Sequence, residues 1–298
     1  MNNQDNNQLT ILSCGMGRDS MTILDKICDG SYQIQGRLMV VFSDTGNEHP
    51  HTYNTLAVAK DQCEKNGIDF HHLTPDQGFH SDSWQSLTAQ WERNCSITSK
   101  AFGKSCTDNL KIKPIYRWLN TICADLLGVP SDEVKDRGKP HIVEYSKLHG
   151  KIQMIIGIAK GEEKRTGNDF PQKWAQESVE RIYPLLDWGM NGGDCIAHLD
   201  ASGRFGKVYP SNCMFCHYAS KQEVLWLHRN YPGKMQEWIG HEARKIQRYE
   251  GREKNYGVNG AKLLPVILVE AQEEHGHMSD EELDHYKRNH GCSIPNAY

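Results

Sequence analysis

The sequence predicts an α/β protein with a parallel sheet and a helical C-terminal part. Two observations lead to this fold class. In the first half, short apolar runs alternate with segments of helical spacing in the order β-α-β-α-β, and from residue 221 onward helical patterns dominate. Strands that alternate with helices form a parallel sheet with right-handed crossovers, because each helix returns the chain to the same end of the sheet.

The elements of the first half follow from their apolar spacing. They are a strand at 9–12, a helix at 19–28, a buried strand with its turn at 37–46, a helix at 51–66 and a strand at 68–73. Gly67 supplies a C-terminal cap for the second helix. The chain therefore begins with two complete β-α units and a third strand.

The second half contains one clear strand and several helices. The strand is predicted at 151–159, and the helices at 83–93, 113–127, 221–230, 233–249 and 263–275, with a last one opening at 279. Residues 184–220 are interpreted as turns that carry three cysteines. We expect a domain at 1–220 and a helical region at 221–298 packed on it.

Composition excludes several classes of protein. The 298 residues carry a net charge of -4, so a global basic field for nucleic acid is absent. No apolar run approaches the roughly 18 residues of a membrane span, and M-N-N-Q-D-N-N-Q lacks the pattern of a signal peptide. We expect a cytoplasmic protein without a membrane partner. In that compartment its ten cysteines serve as metal ligands, catalytic groups or core residues.

The stretch S-C-G-M-G-R-D-S, residues 13–20, joins the first strand to the first helix. Gly15 and Gly17 permit close approach by a ligand, Ser13 and Ser20 offer hydroxyls, and Arg18 offers a charged partner. A strand, a glycine turn and a helix N-terminus together favour an anion such as phosphate, although a plain tight turn is the simpler alternative. The stretch matches neither the P-loop nor the dinucleotide-binding pattern.

This turn and four later stretches resemble one family. The turn is similar to the S-G-G-x-D-S loop of PP-loop ATP pyrophosphatases, and the family resemblance continues in F-S-D-T-G-N-E-H-P, C-T-D-N-L-K-I-K-P-I, I-I-G-I-A-K-G-E-E-K-R and R-I-Y-P-L-L-D-W-G-M. These five elements occur in the family's order over residues 9–220. The chain is therefore identified as a member of the phosphoadenosine-phosphosulfate (PAPS) reductase branch, which implies an adenine nucleotide alpha-hydrolase-like fold.

The resemblance implies ATP and Mg²⁺ as cofactors and cleavage of ATP to AMP and pyrophosphate. It places the nucleotide on residues of the loop and of the second strand end, namely Ser13, Gly15, Met16, Gly17, Asp44 and Thr45. It assigns catalysis to cationic, acidic and hydroxyl groups of the same elements, namely Arg18, Asp19, Ser20, Lys111 and Arg165. The alternatives are solvated surface charges and, for Asp44, a turn cap.

Three departures from the family pattern stand out. Cys14 and Met16 interrupt the usual glycine pair, and Arg18 stands where Lys is common. The catalytic cysteine tail of true PAPS reductases is not evident, because the residues around Cys292 do not match it. This departure disfavours sulfonucleotide reduction.

Four cysteines form a candidate metal site. Cys213 and Cys216 make a C-x-x-C pair, Cys195 lies 18 residues upstream, and Cys106 opens the family's C-T element. Ligand type suits a [4Fe-4S] cluster or Zn²⁺, and spacing does not decide between them. The chain resembles the DNA phosphorothioation proteins DndC and SspD, and the four-cysteine cluster associated with DndC favours [4Fe-4S]. Burial in a core is the alternative for Cys106 and Cys195.

The function that follows is activation of a nucleic-acid acceptor for sulfur insertion. DNA phosphorothioation is favoured, with tRNA thiolation, sulfonucleotide reduction and ATP binding without cleavage as alternatives. The implied partners are a cysteine desulfurase and other sulfur-transfer components. Basic and aromatic side chains within 221–249 fit either nucleic-acid contact or, preferably, an amphipathic helix packed on the sheet.

Overall fold

The computed structural model describes residues 7–103, 105–167 and 170–290. Its centre is a five-stranded sheet, in which all neighbouring strands run parallel, in the order β3-β2-β1-β4-β5. The strands are β1 Leu9–Ser13, β2 Arg37–Ser43, β3 Asp69–Leu73, β4 Ile152–Ile156 and β5 Val179–Ile182. The predicted α/β class with a parallel sheet is confirmed.

Helices cover both faces of the sheet and build the C-terminal part. Those of the α/β region are α1 Arg18–Cys28, α2 Pro50–Lys65, α3 Leu87–Asn94, α4 Lys113–Leu126, α5 Pro140–His149, α6 Lys173–Ser178, α7 Pro184–Asp187 and α8 Gly192–Ser202. Those of the C-terminal part are α9 Lys221–Asn230, α10 Pro232–Arg248, α11 Leu264–His275 and α12 Asp280–Asn289. The helical C-terminal part is thus also confirmed.

The central strand β1 fixes the position of the candidate site. Ser13, the last residue of β1, pairs with Val41 of β2 on one side and with Ile156 of β4 on the other. From β1 the chain continues to β2 and β3 on one side of the sheet and later to β4 and β5 on the other side. Where the strand order reverses in this way, a crevice opens above the carboxyl end of β1. The glycine turn that follows Ser13 lies at this crevice.

Most predicted elements occur within a few residues of their expected bounds, but 184–220 was wrong as a region of turns. It contains α7 and α8, and α8 begins with two glycines that disfavour a helix. The side chain of Asn191 offsets this by accepting bonds from the amides of Gly193 and Asp194. The short elements α5, α6 and β5 were also not predicted.

Three apolar clusters hold the elements together. One lies between the sheet and the helices α1, α2 and α8, and a second lies on the opposite face beneath α4 and α5. The third joins the C-terminal helices to α3 and to Phe215. Phe215 lies in the turn C-M-F-C at residues 213–216, here called the cysteine turn. Because this cluster draws on both sides of residue 220, the predicted two-part division stays a proposal. In the described residues, helices are too short or too polar to cross a membrane.

Candidate nucleotide and thiol site

The glycine turn after β1 is a tightly packed loop. Met16 adopts a left-handed backbone conformation with φ 58°, and its side chain is buried in the apolar cluster of α1. Gly17 precedes the first residue of α1, and a Cβ there would lie 2.4 Å from the backbone nitrogen of Ser211. The turn therefore requires glycine at 17, because backbone atoms of a distant segment fill the space.

Two other segments brace the loop. The amide of Arg18 donates to the carbonyl of Tyr209 at 3.0 Å. Gly157, at the end of β4, approaches so closely that a Cβ would lie 2.7 Å from the nitrogen of Ser20. The Ser20 hydroxyl donates to the carbonyl of Gly17 at 3.1 Å and so closes the turn from within. The loop is thus preorganised by its surroundings.

A cavity of about 520 Å³ opens at the loop. Ser13 and Gly15 line it at the strand end, and Lys111 lines it from the π-helical turn Asp108–Ile112 that leads into α4. Its floor is apolar, with Val41 of β2 among the residues of the sheet face. A cavity of this size, with a glycine turn at its edge and apolar walls, fits a nucleotide.

Arg18 does not line this cavity. Its guanidinium donates to the carbonyls of Arg288 and Asn289 at 3.2 and 2.7 Å, at the C-terminal end of α12. It also contacts the carboxylate of Asp19 at 3.2 Å. A cation at a helix C-terminus is favourably placed, because the last carbonyls carry partial negative charge. The structure thus gives Arg18 a role in holding α12 on the loop, which the sequence did not predict.

Asp19 is buried at the start of α1, within the electrostatic influence of Arg165. Burial raises the pKa of Asp19, and the charges of Arg18 and Arg165 partly offset that rise. Arg165 forms an ion pair with Glu162, and the negative charge of Glu162 also raises the pKa of Asp19. The turn after β4 therefore lies near the first turn of α1, where Gly157 also approaches the nitrogen of Ser20.

Asp44 and Thr45, after β2, face away from one another. The Asp44 carboxylate accepts bonds from the Gly46 amide at 2.8 Å and the Tyr53 hydroxyl at 3.1 Å, and it pairs with His72 at 3.3 Å. These bonds lower its pKa against the effect of burial. Asp44 is thus a turn cap in this structure, while Thr45 lines a second, smaller cavity.

The second cavity, of about 50 Å³, is the thiol site. Cys106, Cys213 and Cys216 line it together with His217 and the buried hydroxyl of Thr98, which has no hydrogen-bond partner. Burial and the charge of Glu48 raise the pKa of the Cys213 thiol well above its usual value. The structure therefore brings together three of the four predicted cysteine ligands.

Lys111 and Ser211 line both cavities. The ammonium of Lys111 lies 3.3 Å from the buried carboxylate of Glu48, which also accepts a bond from the Thr45 hydroxyl at 3.0 Å. Glu48 in turn forms a backbone bridge with Cys213. The nucleotide cavity and the thiol cavity are thus adjacent and share a cation.

Cys195 lies apart from the other three cysteines. It is fully buried in the apolar cluster of α1 and α8, where its carbonyl accepts a bond from the Thr22 hydroxyl at 3.3 Å. Burial raises the pKa of its thiol to about 12, and burial likewise raises that of Cys14 to about 11. Both are core residues in this structure. Cys292 lies outside the described residues.

The three cysteines fit a metal group in ligand type. Thiolates select zinc or iron–sulfur clusters. Among the described residues, Asp25, Asp29 and His198 form a group of possible metal ligands whose ligand atoms all lie within 4.8 Å of one another. The sulfur atoms of Cys106, Cys213 and Cys216 do not all lie within this limit. A zinc site with Zn–S bonds of about 2.3 Å requires a tight set, whereas a cluster spreads its sulfurs. Arg204 already pairs with Asp25 at 2.6 Å, so that other group is an ion-pair network.

Sequence reasoning missed two residues of the site. Ser211 had no motif, and the P-S-N stretch before the C-x-x-C pair was its only signal. Glu48 stands in the quoted F-S-D-T-G-N-E-H-P element but received no role, although a carboxylate in a buried turn requires a partner. Both depend on contacts between segments far apart in the chain.

Comparison with known proteins identifies the family of the chain. The chain matches the phosphoadenosine phosphosulfate reductase domain over residues 10–192, which is more than half of its length. No curated protein matches it. Among solved structures, it is similar to the U34-tRNA thiolase NcsA from Methanococcus maripaludis with its [4Fe-4S] cluster, at 12% identity and a TM-score of 0.38, over 93% of this chain and 75% of that chain. With its glycine loop at the nucleotide cavity, the chain belongs to the phosphoadenosine phosphosulfate reductase domain family.

Proposed function

We propose that the protein splits ATP between its α- and β-phosphates and activates a nucleic-acid acceptor for sulfur insertion, with DNA phosphorothioation as the first candidate. An acceptor oxygen would bond to the α-phosphorus as pyrophosphate leaves, and AMP would leave when sulfur displaces it; without an acceptor, water would take the adenylyl group and give AMP. One observation carries this proposal: the nucleotide cavity and the thiol cavity share Lys111 and Ser211. An activated acceptor in the first cavity would therefore lie beside sulfur chemistry in the second.

The loop and Lys111 are the groups suited to the phosphates. Ser13 and Gly15 bring the start of the loop to the cavity, and the N-terminus of α1 adds partial positive charge. Lys111 would stabilise negative charge that develops as pyrophosphate leaves. Mg²⁺ would enter with ATP. Asp19, Ser20 and Arg165 would then maintain the geometry of the loop.

The three thiols would hold a [4Fe-4S] cluster, with Zn²⁺ as the alternative. When bound, iron with thiolate ligands supplies a soft Lewis acid with affinity for sulfur. Cys106, Cys213 and Cys216 would anchor it, while Glu48 and Lys111 set the charge beside it. A cysteine desulfurase is the partner suited to deliver sulfur there.

The test is the product of ATP cleavage. We expect purified protein with Mg²⁺ and α-labelled ATP to yield AMP and pyrophosphate, and Lys111→Ala to lower that rate by about 100-fold, the typical loss for one charge-stabilising donor. Lys147→Ala is the matched control, because Lys147 is exposed on α5 and does not line the cavity. Formation of ADP, or an equal loss in both variants, would contradict the proposal.

Two other functions use the same cavities. tRNA thiolation differs only in the acceptor, so stimulation of AMP formation by tRNA instead of DNA would favour it. The family match favours sulfonucleotide reduction as the second candidate. That reaction requires no ATP cleavage, and release of sulfite from PAPS with a thiol reductant would identify it.

A further inference from the structure

The nucleotide cavity has a second end that the proposed function does not use. This end lies over β4 and β5, where Tyr116, Phe170, Trp174 and Arg181 line the wall. All four side chains are half-buried, so each keeps part of its surface open. An open wall of three aromatic rings and a guanidinium is suited to bind a flat, anionic ligand.

Sheet geometry separates this end from the nucleotide end. The cavity extends from Val41 on β2 across Ser13 on β1 to Arg181 on β5. Neighbouring strands lie about 4.8 Å apart, so the β5 wall is about 10 Å from the loop on one side, and β2 is about 5 Å away on the other. With the phosphates at the loop and adenosine at the β2 end, the β5 wall remains for a second ligand.

The wall is held by contacts within it. The guanidinium of Arg181 lies 3.6 Å from the centre of the Phe170 ring. Tyr116 meets Trp174 edge to face, with centroids 5.2 Å apart and planes at 83°, and it meets Phe170 at 6.4 Å and 77°. Such packing fixes ring orientation before a ligand arrives, so little side-chain entropy is lost on binding.

The charge at this end is positive. Arg117, Arg137 and Lys139 line the cavity, with Asp136 as an acidic neighbour. Arg117 lies 3.5 Å from the Asp136 carboxylate, and Lys139 also pairs with that carboxylate. One carboxylate does not neutralise these three cations, so this end attracts a phosphate as well as a base.

We propose that this aromatic wall binds one unpaired nucleotide of the nucleic-acid acceptor, with its base against the rings and its phosphate near the cations. The inference rests on the proposed function and specifies its substrate: a single strand, or a nucleotide extruded from a duplex. Base stacking on aromatic side chains combined with a cationic groove is the usual way of binding single strands.

The test measures two affinities in the same preparations. A labelled ten-nucleotide single strand of DNA is titrated by fluorescence anisotropy, with RNA of the same sequence and duplex DNA as competitors. A non-hydrolysable ATP analogue is titrated by calorimetry. We expect Trp174→Ala to weaken single-strand binding by about 5- to 150-fold and to leave the affinity for the ATP analogue within about twofold. Trp174→Phe should restore most of the loss.

Trp188→Ala is the matched control, since Trp188 is 36% exposed and does not line the cavity. The proposal is overturned if the wild type does not bind the single strand, or if Trp174→Ala weakens binding of the ATP analogue instead of the single strand. It is also overturned if Trp188→Ala weakens single-strand binding as much as Trp174→Ala does. Competition by RNA or DNA then identifies the acceptor. Neither measurement requires ATP cleavage. A negative result for nucleotide binding at the wall can therefore be distinguished from a negative result for the pyrophosphatase proposal.

Discussion

The glycine turn at residues 13–20 and the cysteine turn at residues 213–216 lie side by side but are built in opposite ways. The loop takes its shape from consecutive residues 13–20 and from backbone contacts, with glycine where another backbone approaches. The thiol cavity collects Cys106, Cys213 and Cys216 from two segments about 107 residues apart, and its neighbours Thr45 and Thr98 from two more. Local chemistry defines the first site, and tertiary packing defines the second.

The largest expected effect tests the backbone origin of the loop. Gly17→Ala places a Cβ 2.4 Å from the Ser211 nitrogen, and backbone cannot move aside as a flexible side chain does. We expect a loss of about 1–3 kcal/mol in the free energy of unfolding and no detectable AMP formation. Urea denaturation and product analysis measure the two effects.

Gly240→Ala is the control for that substitution. Gly240 lies in α10 with no atom within 4 Å of a Cβ, so alanine there should stabilise the helix by about 0.5–1 kcal/mol. A Gly17→Ala protein with wild-type stability and activity would show that Ser211 does not confine the loop.

The second prediction separates the cysteines that meet from the one that does not. Cys213→Ala removes a thiol from the cavity and should abolish stoichiometric iron or zinc after anaerobic reconstitution. Cys195→Ala leaves the thiol cavity intact and should retain the metal, with some loss of stability from the space it leaves in the core. Elemental analysis and visible absorbance report the metal.

Retention of metal by Cys213→Ala would remove the thiol cavity as the metal site. Loss of metal in Cys195→Ala, with Cys123→Ala unaffected, would restore Cys195 as a ligand through a rearrangement that this structure does not show. Cys123 is the matched control because it is fully buried in the cluster on the other face of the sheet.

The third and smallest prediction concerns His51, in the first turn of α2. His51 stacks on Tyr209 with ring centroids 4.2 Å apart, and burial, followed by the charge of Lys287, lowers its pKa to about 3. The unfolded chain takes up a proton below about pH 6.5, but the folded chain does not, so stability falls as the pH falls. Between pH 7 and pH 5, the free energy of unfolding of His51→Phe should therefore decrease by about 2 kcal/mol less than that of the wild type.

Urea denaturation at the two pH values measures this difference. Phenylalanine keeps a ring against Tyr209 without a titrating nitrogen, and His277→Phe, at an exposed position, is the control. An unchanged pH dependence in His51→Phe would mean that His51 is accessible to protons in the folded state.

The residues whose roles are local were predictable. The strand, turn and helix around Ser13, Gly15 and Gly17 follow from spacing and from glycine, and Lys111 was selected from a family element that the structure brings to the cavity. The C-x-x-C pair was likewise visible, because two thiols three residues apart meet in a turn.

Roles that depend on distant partners were not predictable. Arg18 had the charge to bind phosphate, but the end of α12, 270 residues later, takes its guanidinium. Cys195 had a plausible spacing, but α8 turns it into the apolar cluster beneath α1. Sequence alone determined the fold class and the order of strand, glycine turn and helix at residues 9–28, because these depend on residue type and short spacing. Only the tertiary structure decided which groups meet, because the partners that satisfy a buried charge or thiol come from the whole chain.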